Sequence, residues 1–278
     1  MSLGIVFKGA EGIVLAADSR VTLTGQLAQK GPGGELLVIP ASYDNATKLL
    51  KVKGQDHVGA VTYGLGAIGQ EAPRTAHSFI SELEAELKNS KRIKVGEFAK
   101  KFGEFFLGKW EELMPNNVAV PDMVFLIGGY DENEPYGRVF EVTIPSNPKP
   151  KEWHPKSFGA VWGGQTEFVD RLIQGYDRRL PELAKQSCGL SSDQESGLTN
   201  AVSQLNLPIP YPFLPLQDCV DLAIFLIRAT ITLQKWQVGI RGVGGAIDVA
   251  TITKTTGFVA VQQKTVRGES FLSEESYG

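Results

Sequence analysis

The spacing of apolar residues changes several times along the chain, and each change marks a different kind of element. Short apolar runs rich in β-branched residues open the sequence at residues 3–7 and 12–17, and the turn-forming residues between them predict a β-hairpin. Residues 22–45 hold many glycines and prolines and predict a long loop, or a loop with one short strand at 36–39. Further strands are predicted at residues 48–52, 57–62, 123–128, 138–144, 157–162, 247–253 and 258–262.

Two blocks of helical spacing interrupt the strands. The first block predicts two amphipathic helices, from apolar residues that recur every three or four positions: Phe79, Ile80, Leu83 and Leu87, then Phe98, Phe102, Phe105, Phe106 and Trp110. The second block predicts another two helices, around Phe168, Leu172 and Ile173 and around Val220, Ala223, Ile224 and Ile227. This order of elements fits an α+β fold in which two antiparallel sheets pack on each other and are flanked by helix pairs.

The length of the chain bounds the number of domains. With 278 residues it can bury a full core without disulfides or a metal, so we expect one domain over residues 1–278. Residues 187–215 begin with a Ser/Gly-rich stretch and carry four prolines after Asn206, which predicts an inserted surface segment. The aromatic residues at 98–110 offer more surface than one sheet face usually covers, so part of this set is expected to meet a neighbouring copy.

Composition narrows the classes of function. The net charge of −3 comes from 28 basic and 31 acidic residues without long runs, so neither nucleic acid nor a membrane is an expected partner. Cys188, Cys219 and the three scattered histidines show no metal-ligand spacing. The glycines at residues 63–69 formally fit a G-x-G-x-x-G fingerprint, but no ribose-binding acid on a second parallel strand follows. We therefore expect no cofactor and no metal, and the lack of a signal peptide or apolar span predicts a cytoplasmic protein.

Two stretches of the chain resemble the signature of a known family. Residues 12–20, which read Gly-Ile-Val-Leu-Ala-Ala-Asp-Ser-Arg, are similar to the second strand of proteasome β-type subunits and their bacterial relatives. Lys48, within Asn-Ala-Thr-Lys-Leu-Leu, resembles the family's lysine at the start of the following strand. In that family the mature N-terminal residue, usually threonine, is the nucleophile, and the strand aspartate lies sixteen positions after it. Here the aspartate is Asp18, and 18 − 2 = 16, so Ser2 stands at the nucleophile position.

The resemblance implies a fold, a reaction and partners. The fold is the four-layer αββα sandwich of N-terminal-nucleophile (Ntn) hydrolases, and the reaction is hydrolysis of peptide bonds through an acyl ester on the N-terminal residue, without cofactor or metal. The implied partners are identical subunits in a homo-oligomeric ring, a peptide or unfolded-protein substrate, and an ATPase. Compartmentalisation in a ring would keep an unselective amidase tolerable in the cytoplasm.

Four residues receive roles from the resemblance, and each role has a chemical reason. Once Met1 is removed, the hydroxyl of Ser2 can be activated by its own α-amine, whose reference pKa is about 7.7–8.0. The ammonium of Lys48 stabilises the developing alkoxide, and Asp18 keeps that lysine charged and in place. The backbone N–H of Gly64 is the matching oxyanion donor.

Some positions depart from the family pattern, and they keep alternative functions open. Self-processing relatives carry an aspartate and a serine where this chain has Ile240 and Val243, and a Gly-Ser-Gly serine is missing around Gly163. These changes favour a catalytically silent, ring-forming subunit, whereas Asp18 and Lys48 favour an enzyme; a transpeptidase with the same nucleophile is a third possibility. The Met-Ser-Leu start is either natural or a leader added in cloning in place of a threonine.

Overall fold

Strands and helices follow one another in blocks in the computed structural model, which describes residues 2–30, 36–70, 72–88, 90–115 and 120–266. The strands of this part are β1 (Leu3–Lys8), β2 (Ile13–Asp18), β3 (Val21–Lys30), β4 (Leu36–Tyr43), β5 (Leu49–Lys51), β6 (Val58–Gly64), β7 (Met123–Gly129), β8 (Arg138–Ile144), β9 (Asn147–Trp153), β10 (Gly159–Gly164), β11 (Ile247–Thr253) and β12 (Gly257–Gln262). The α-helices are α1 (Ile80–Leu87), α2 (Val95–Leu113), α3 (Glu167–Ile173), α4 (Leu180–Cys188), α5 (Ser192–Val202) and α6 (Leu216–Leu233).

The strands form two five-stranded antiparallel sheets and a separate β3–β4 hairpin. The first sheet has the order β10-β1-β2-β11-β12, and the second has the order β5-β6-β7-β8-β9. The predicted opening hairpin is confirmed, since β1 pairs with β2 with Gly4 opposite Ala17. On the other side of β2, Ile247 of β11 lies opposite Asp18. The start of β1, the end of β2 and the start of β11 therefore meet at one edge of the first sheet.

Three apolar clusters hold these elements together. One lies between the two sheets and includes Leu15 and Leu126. A second joins the second sheet to α1 and α2, and a third joins the first sheet to α3 and α6. Contacts between β1 or β2 and β6 link the sheets directly. The predicted α+β fold with antiparallel sheets is therefore confirmed.

The aromatic residues of α2 narrow one expectation about neighbouring copies. Phe98, Phe102, Phe105 and Phe106 are all buried inside this chain. The ring centroids of Phe102 and Phe106 lie 4.8 Å apart, and Phe106 lies 4.5 Å from Phe125 of β7. The rings of both pairs are tilted relative to each other, and such close contacts are favourable packing for aromatic side chains. The phenylalanines thus pack on the second sheet, which narrows the expected contact with another copy to Trp110, an aromatic residue of the set that is only partly buried.

Three further differences from the predicted elements have local causes. Residues 21–30 alternate polar and apolar positions and pair with β4, so the predicted loop at 22–45 contains a hairpin, whose turn lies outside the described residues. Strand β9 was missed because it carries two prolines, which the edge of a sheet tolerates. Helix α5 begins with a capping box at Ser191 and Gln194 inside residues 187–215. The description of that segment as an insertion stays a prediction.

Candidate active site

Ser2 lies directly before β1 and is buried, with only 3 % of its surface exposed. Its carbonyl oxygen accepts a hydrogen bond of 2.8 Å from the backbone N–H of Gln165. The next amide, that of Leu3, donates to Oδ1 of Asp18 at 3.0 Å. The peptide group between Ser2 and Leu3 is therefore held by a hydrogen bond on each side, and these bonds orient Ser2.

Asp18 and Lys48 form a buried ion pair beside this peptide group. The Nζ atom of Lys48 donates to Oδ1 of Asp18 at 2.7 Å, and the aspartate is fully buried. Oδ2 of Asp18 accepts the backbone N–H groups of Arg20 at 3.1 Å and Gly244 at 3.0 Å. Counting the amide of Leu3, four donors surround this carboxylate. A buried carboxylate needs such partners, because an unpaired charge inside a protein is strongly unfavourable.

Lys48 reaches the pair from the second sheet. It stands immediately before β5, and its carbonyl oxygen accepts the N–H of Thr62 at 3.0 Å. Burial lowers the pKa of Lys48 below the usual lysine value, while the Asp18 carboxylate opposes that shift and the charges of Lys264 and Arg20 add to it. A lysine with a lowered pKa and one carboxylate partner gives up its proton more readily than a solvated one.

A narrow cavity opens between the two sheets at this place. Ser2 and Lys48 line it together with residues of β6 and of the segment that follows β6, including Thr62, Tyr63, Leu65 and Gly66. Burial raises the pKa of Tyr63 above the usual tyrosine value. The structure thus brings three of the four predicted residues, Ser2, Asp18 and Lys48, to one place.

Gly64, the fourth predicted residue, is the last residue of β6 and lies next to Leu65 of the cavity wall. Its backbone has φ = +87°, a conformation that residues with a Cβ rarely adopt. A Cβ at this position would also overlap the carbonyl oxygen of Asp122. The backbone alone therefore explains why glycine stands here, and its role as an oxyanion donor stays a prediction.

The polar residues after Asp18 form hydrogen bonds that hold residues 244–246 and Asp44 close to the ion pair. Ser19 donates from its backbone N–H to the carbonyl of Gly244 at 3.0 Å and from Oγ to the carbonyl of Ala246 at 2.7 Å. Arg20 binds both carboxylate oxygens of Asp44. A Cβ on Gly244 would overlap the guanidinium of Arg20. These contacts give a structural reason for the Asp-Ser-Arg run and for the glycine at 244.

Two of the missing polar residues, at positions 243 and 163, have a physical explanation in the packing, whereas nothing in the structure explains the one missing at position 240. The side chain of Val243 is buried in the apolar cluster between the first sheet and α6, so a serine there would face hydrocarbon. Ile240 is 49 % exposed. At Gly163, a Cβ would overlap the ring and hydroxyl of Tyr63. Tyr63 therefore fills the space that a serine at position 163 would need.

Polar residues that the sequence interpretation missed also lie around the site. Gln234 donates from Nε2 to Oε1 of Gln165 and accepts the N–H of Val243 on Oε1 at 3.0 Å. The Nζ atom of Lys264 contacts Oδ2 of Asp248 and Oγ of Ser19. In the sequence, Gln165 stands directly after β10 and Gln234 directly after α6. Many surface glutamines stand at the end of an element, so this position does not identify a buried partner of the site.

The described residues contain no group of histidine, cysteine, aspartate and glutamate side chains arranged to hold a metal ion. Cys188 is exposed and Cys219 is buried, and both are free thiols. No helix within the described ranges has the length and apolar character required to cross a membrane.

The fold resembles several solved structures, although no protein-family model and no curated protein matches the sequence. A Gly-1 mutant of Anbu from Hyphomicrobium sp. strain MC1 aligns over 95 % of this chain and 86 % of its own, with a TM-score of 0.53 and 13 % identity. Anbu (ancestral beta-subunit) from Yersinia bercovieri aligns over 94 % and 87 %, with a TM-score of 0.54 and 14 % identity. The helical assembly of the Anbu complex from Pseudomonas aeruginosa aligns over 96 % of this chain and 88 % of its own, with a TM-score of 0.56 and 12 % identity.

These neighbours correct the family inferred from the sequence. The motifs at residues 12–20 and at Lys48 resemble proteasome β-type subunits, but the similar structures are Anbu proteins, which are proteasome-like and distinct. The assignment to the β-type subunits is therefore wrong. The reason is that the motifs encode a buried central strand and an ion pair at its end. These features do not distinguish one class of proteasome-like protein from another. Because identity is at most 14 %, the likeness shows the fold alone.

Proposed function

We propose that this chain is a cytoplasmic Ntn hydrolase that cleaves peptide bonds with Ser2 as its N-terminal nucleophile after removal of Met1. The proposal includes the four-layer αββα sandwich, with α1 and α2 on one sheet and α3 and α6 on the other. The observation that carries it is the buried Asp18–Lys48 pair, at 2.7 Å, beside the held peptide group of Ser2. The proteasome-like fold of the Anbu neighbours supports the same class.

The reaction would run in two halves on one residue. The α-amine of Ser2 takes the proton of its own hydroxyl, and Oγ attacks the carbonyl carbon of the substrate peptide. The N–H of Gly64 stabilises the resulting oxyanion, and the Lys48 ammonium, held by Asp18, stabilises the negative charge that develops on Oγ. The α-amine then gives its proton to the leaving amine, which leaves an acyl ester on Ser2. Water attacks the ester with the same amine as base, releases the acid and restores the hydroxyl.

The buried pair also supports an enzyme over a silent subunit. Both alternatives keep the fold, and the apolar residues at 240 and 243 favour the silent one. A buried ion pair is a poor source of stability, because the loss of hydration opposes the attraction between the charges. A silent subunit would gain little from keeping Asp18 and Lys48 beside a cavity. We therefore favour the enzyme.

Turnover of peptides tests this choice directly. Protein without Met1, checked by intact mass, is incubated with fluorogenic peptides and with an unfolded protein, and the Ser2→Ala variant serves as the matched control. We expect cleavage that is absent in Ser2→Ala. The silent subunit predicts no cleavage by either protein. Adding an amine acceptor separates the remaining alternative, since a transpeptidase would release product joined to that amine.

We further propose that the chain assembles with copies of itself. One structural neighbour is described as a helical assembly, and contacts of one heterologous type give a ring when the rotation closes and a helix when it does not. Large apolar side chains are exposed on α6 and just after it: Phe225 (55 %), Trp236 (76 %) and Ile240 (49 %). Exposed apolar residues of this size commonly mark an interface with another chain. An ATPase that feeds unfolded substrate to such an assembly is part of the same proposal.

The assembly proposal is tested by light scattering after size exclusion. We expect a mass many times that of one 30.2 kDa chain, and dissociation when Trp236 is replaced by glutamate. Tyr136→Glu is the matched control, because Tyr136 is another exposed aromatic residue, at 50 %, but lies between β7 and β8. A wild-type protein that stays monomeric at micromolar concentration would exclude the assembly.

A further inference from the structure

A chain of hydrogen bonds connects the two sides of the Ser2–Leu3 peptide group through residues that are distant in sequence. On one side, the N–H of Gln165 donates to the carbonyl of Ser2 at 2.8 Å. The side chain of Gln165 accepts from Nε2 of Gln234, whose Oε1 in turn accepts the N–H of Val243 at 3.0 Å. These bonds join the end of β10 to the segment that follows α6.

The other half of the connection runs through the carboxylate of Asp18. Gly244, the residue after Val243, donates its N–H to Oδ2 of Asp18 at 3.0 Å. Oδ1 of the same carboxylate accepts the N–H of Leu3. The bonds therefore form a closed circuit that begins at the carbonyl of Ser2 and ends at the next amide. In this circuit Gln234 is the link between the aspartate side and the Ser2 side.

The position of Gln234 makes this link costly to break. Its side chain is buried, with 6 % of the residue exposed, and both ends of its amide are engaged. A buried amide that loses its partners pays for the loss of hydration, whereas a fully bonded network holds its members in one arrangement. Gly164, which precedes Gln165, has φ = +95°, and a Cβ there would overlap the carbonyl of Ser2. The backbone of this segment thus approaches Ser2 closely.

We propose that Gln165 and Gln234 are positioning residues that hold Ser2 in its reactive orientation. The inference rests on the proposed function, because it concerns the same nucleophile. It adds two residues that act through the peptide group of Ser2 and do not touch the substrate. The small displacement of a nucleophile that follows the loss of such support lowers the rate of attack.

The test measures covalent inactivation of protein without Met1 by a β-lactone that acylates Ser2. Gln234→Met keeps the length of the side chain and removes both bonds, and Gln234→Glu keeps the acceptor for Val243 but has no donor for Gln165. Gln237→Ala, at an exposed glutamine three positions further on, is the control. Both Gln234 variants should lower the maximal inactivation rate about tenfold or more, with little change in the inhibitor concentration at half that rate. Thermal unfolding of each variant is recorded in parallel.

A double variant shows whether the two glutamines act as a unit. Gln165→Ala combined with Gln234→Met should be no slower than the slower single variant, because breaking one circuit twice has no further effect. Rates that match wild type in the Gln234 variants would overturn the proposal and leave the proposed function intact.

Absence of labelling at Ser2 in the wild type would instead refute the proposed function, and amide hydrogen exchange then decides the positioning role by itself. Faster exchange of the amides of Leu3 and Gln165 in Gln234→Met than in Gln237→Ala supports the circuit. Equal exchange in the two variants overturns it.

Discussion

Two aspartate–lysine pairs with buried carboxylates lie at the same edge of the first sheet, and they differ in what they connect. Asp18 at the end of β2 pairs with Lys48, and Asp248 in β11 pairs with Lys264. Both carboxylates are almost completely inaccessible to solvent. Ser19, next to Asp18, accepts a hydrogen bond from Lys264 at 3.1 Å, so the two pairs are neighbours.

The surroundings of the two carboxylates are unequal. Asp18 receives three backbone N–H groups from separate segments in addition to its lysine, which comes from the second sheet and lines the cavity beside Ser2. Asp248 receives the backbone N–H and the side chain of one residue, Lys264. The first carboxylate would remain well bonded without its lysine, and the second would not. This difference agrees with the catalytic role that we propose for Lys48. We infer that Lys264 instead holds the segment after β12 in place.

The largest expected effect is on stability, from Lys264→Met. This change leaves the Asp248 carboxylate buried with one backbone donor, and removal of one partner of a buried pair costs about 3–5 kcal/mol. Chemical denaturation measures the free energy of unfolding. The β-lactone labelling rate of the folded protein should stay within about threefold of wild type, as expected of a residue that does not act at Ser2. A double variant that also carries Asp248→Asn should recover part of the lost stability; an equally large loss in the double variant would contradict the account.

Lys48→Ala should show the opposite pattern. Loss of the ammonium removes charge stabilisation from the attacking oxygen and should lower turnover about a hundredfold or more. Asp18→Asn should have an effect of similar size, because the amide cannot hold the lysine as an ion pair. Stability should fall less in Lys48→Ala than in Lys264→Met, since Asp18 keeps three backbone donors. Near-normal turnover in either variant, with unchanged thermal unfolding, would show that the pair does not act at the site.

Gly163→Ser should have a smaller effect, and on stability alone. The added side chain meets the ring of Tyr63, and overpacking of this kind costs about 1–3 kcal/mol. The free energy of unfolding and the peptide turnover are measured on the same sample. We expect a loss of stability without any gain in turnover. A faster enzyme would show that the absent serine limits catalysis and that packing is not the reason for its absence.

The smallest expected effect is a shift in the pH profile. Labelling should rise as the α-amine of Ser2 loses its proton, near its reference pKa of about 7.7–8.0, and fall again as Lys48 loses its own. Because burial lowers the pKa of Lys48, this fall should begin below the usual lysine value of 10.5. Lys48→Arg keeps the charge and should move the falling limb to higher pH. A falling limb unchanged in that variant would mean that another group titrates.

The lowered pKa of Lys48 also determines whether its contribution to the free energy of unfolding rises or falls with pH. Between the pKa of Lys48 in the folded protein and its usual value of 10.5, the unfolded chain binds more protons than the folded one. The charge on Lys48 therefore lowers the stability at neutral pH relative to a neutral lysine at the same position. The contribution of Lys48 to stability improves as the pH rises through that window.

The fold was predictable where the apolar pattern is strong. The periodicity of β1, β2, β8 and α2 located these elements to within a few residues. Strand β9 was not found, because its prolines argue against a strand unless the edge position is already known. The burial of the α2 phenylalanines could not be predicted either. It depends on how much sheet surface faces the helix, and the spacing of apolar residues along the helix gives no information about that surface.

The site was predictable only in part, for a related reason. Asp18 and Lys48 were found through the resemblance of the stretches around them, and the structure joins their side chains. Ser2 was then found through its spacing from Asp18. Gln234 and Lys264 lie far along the chain and reach the site through packing of α6 and of the segment after β12. The sequence around each of them carries no pattern that separates a buried partner from a solvated side chain.

The proposed function requires that Ser2 carries a free amine and a reactive hydroxyl on one residue. Reaction with a peptide epoxyketone tests this requirement most directly, since this electrophile requires both groups to form its stable adduct. We expect that protein without Met1 gains the mass of one inhibitor per chain, that peptide mapping places the adduct on Ser2, and that Ser2→Ala protein stays unmodified. An unmodified wild-type protein, or labelling that persists unchanged in Ser2→Ala, would contradict it.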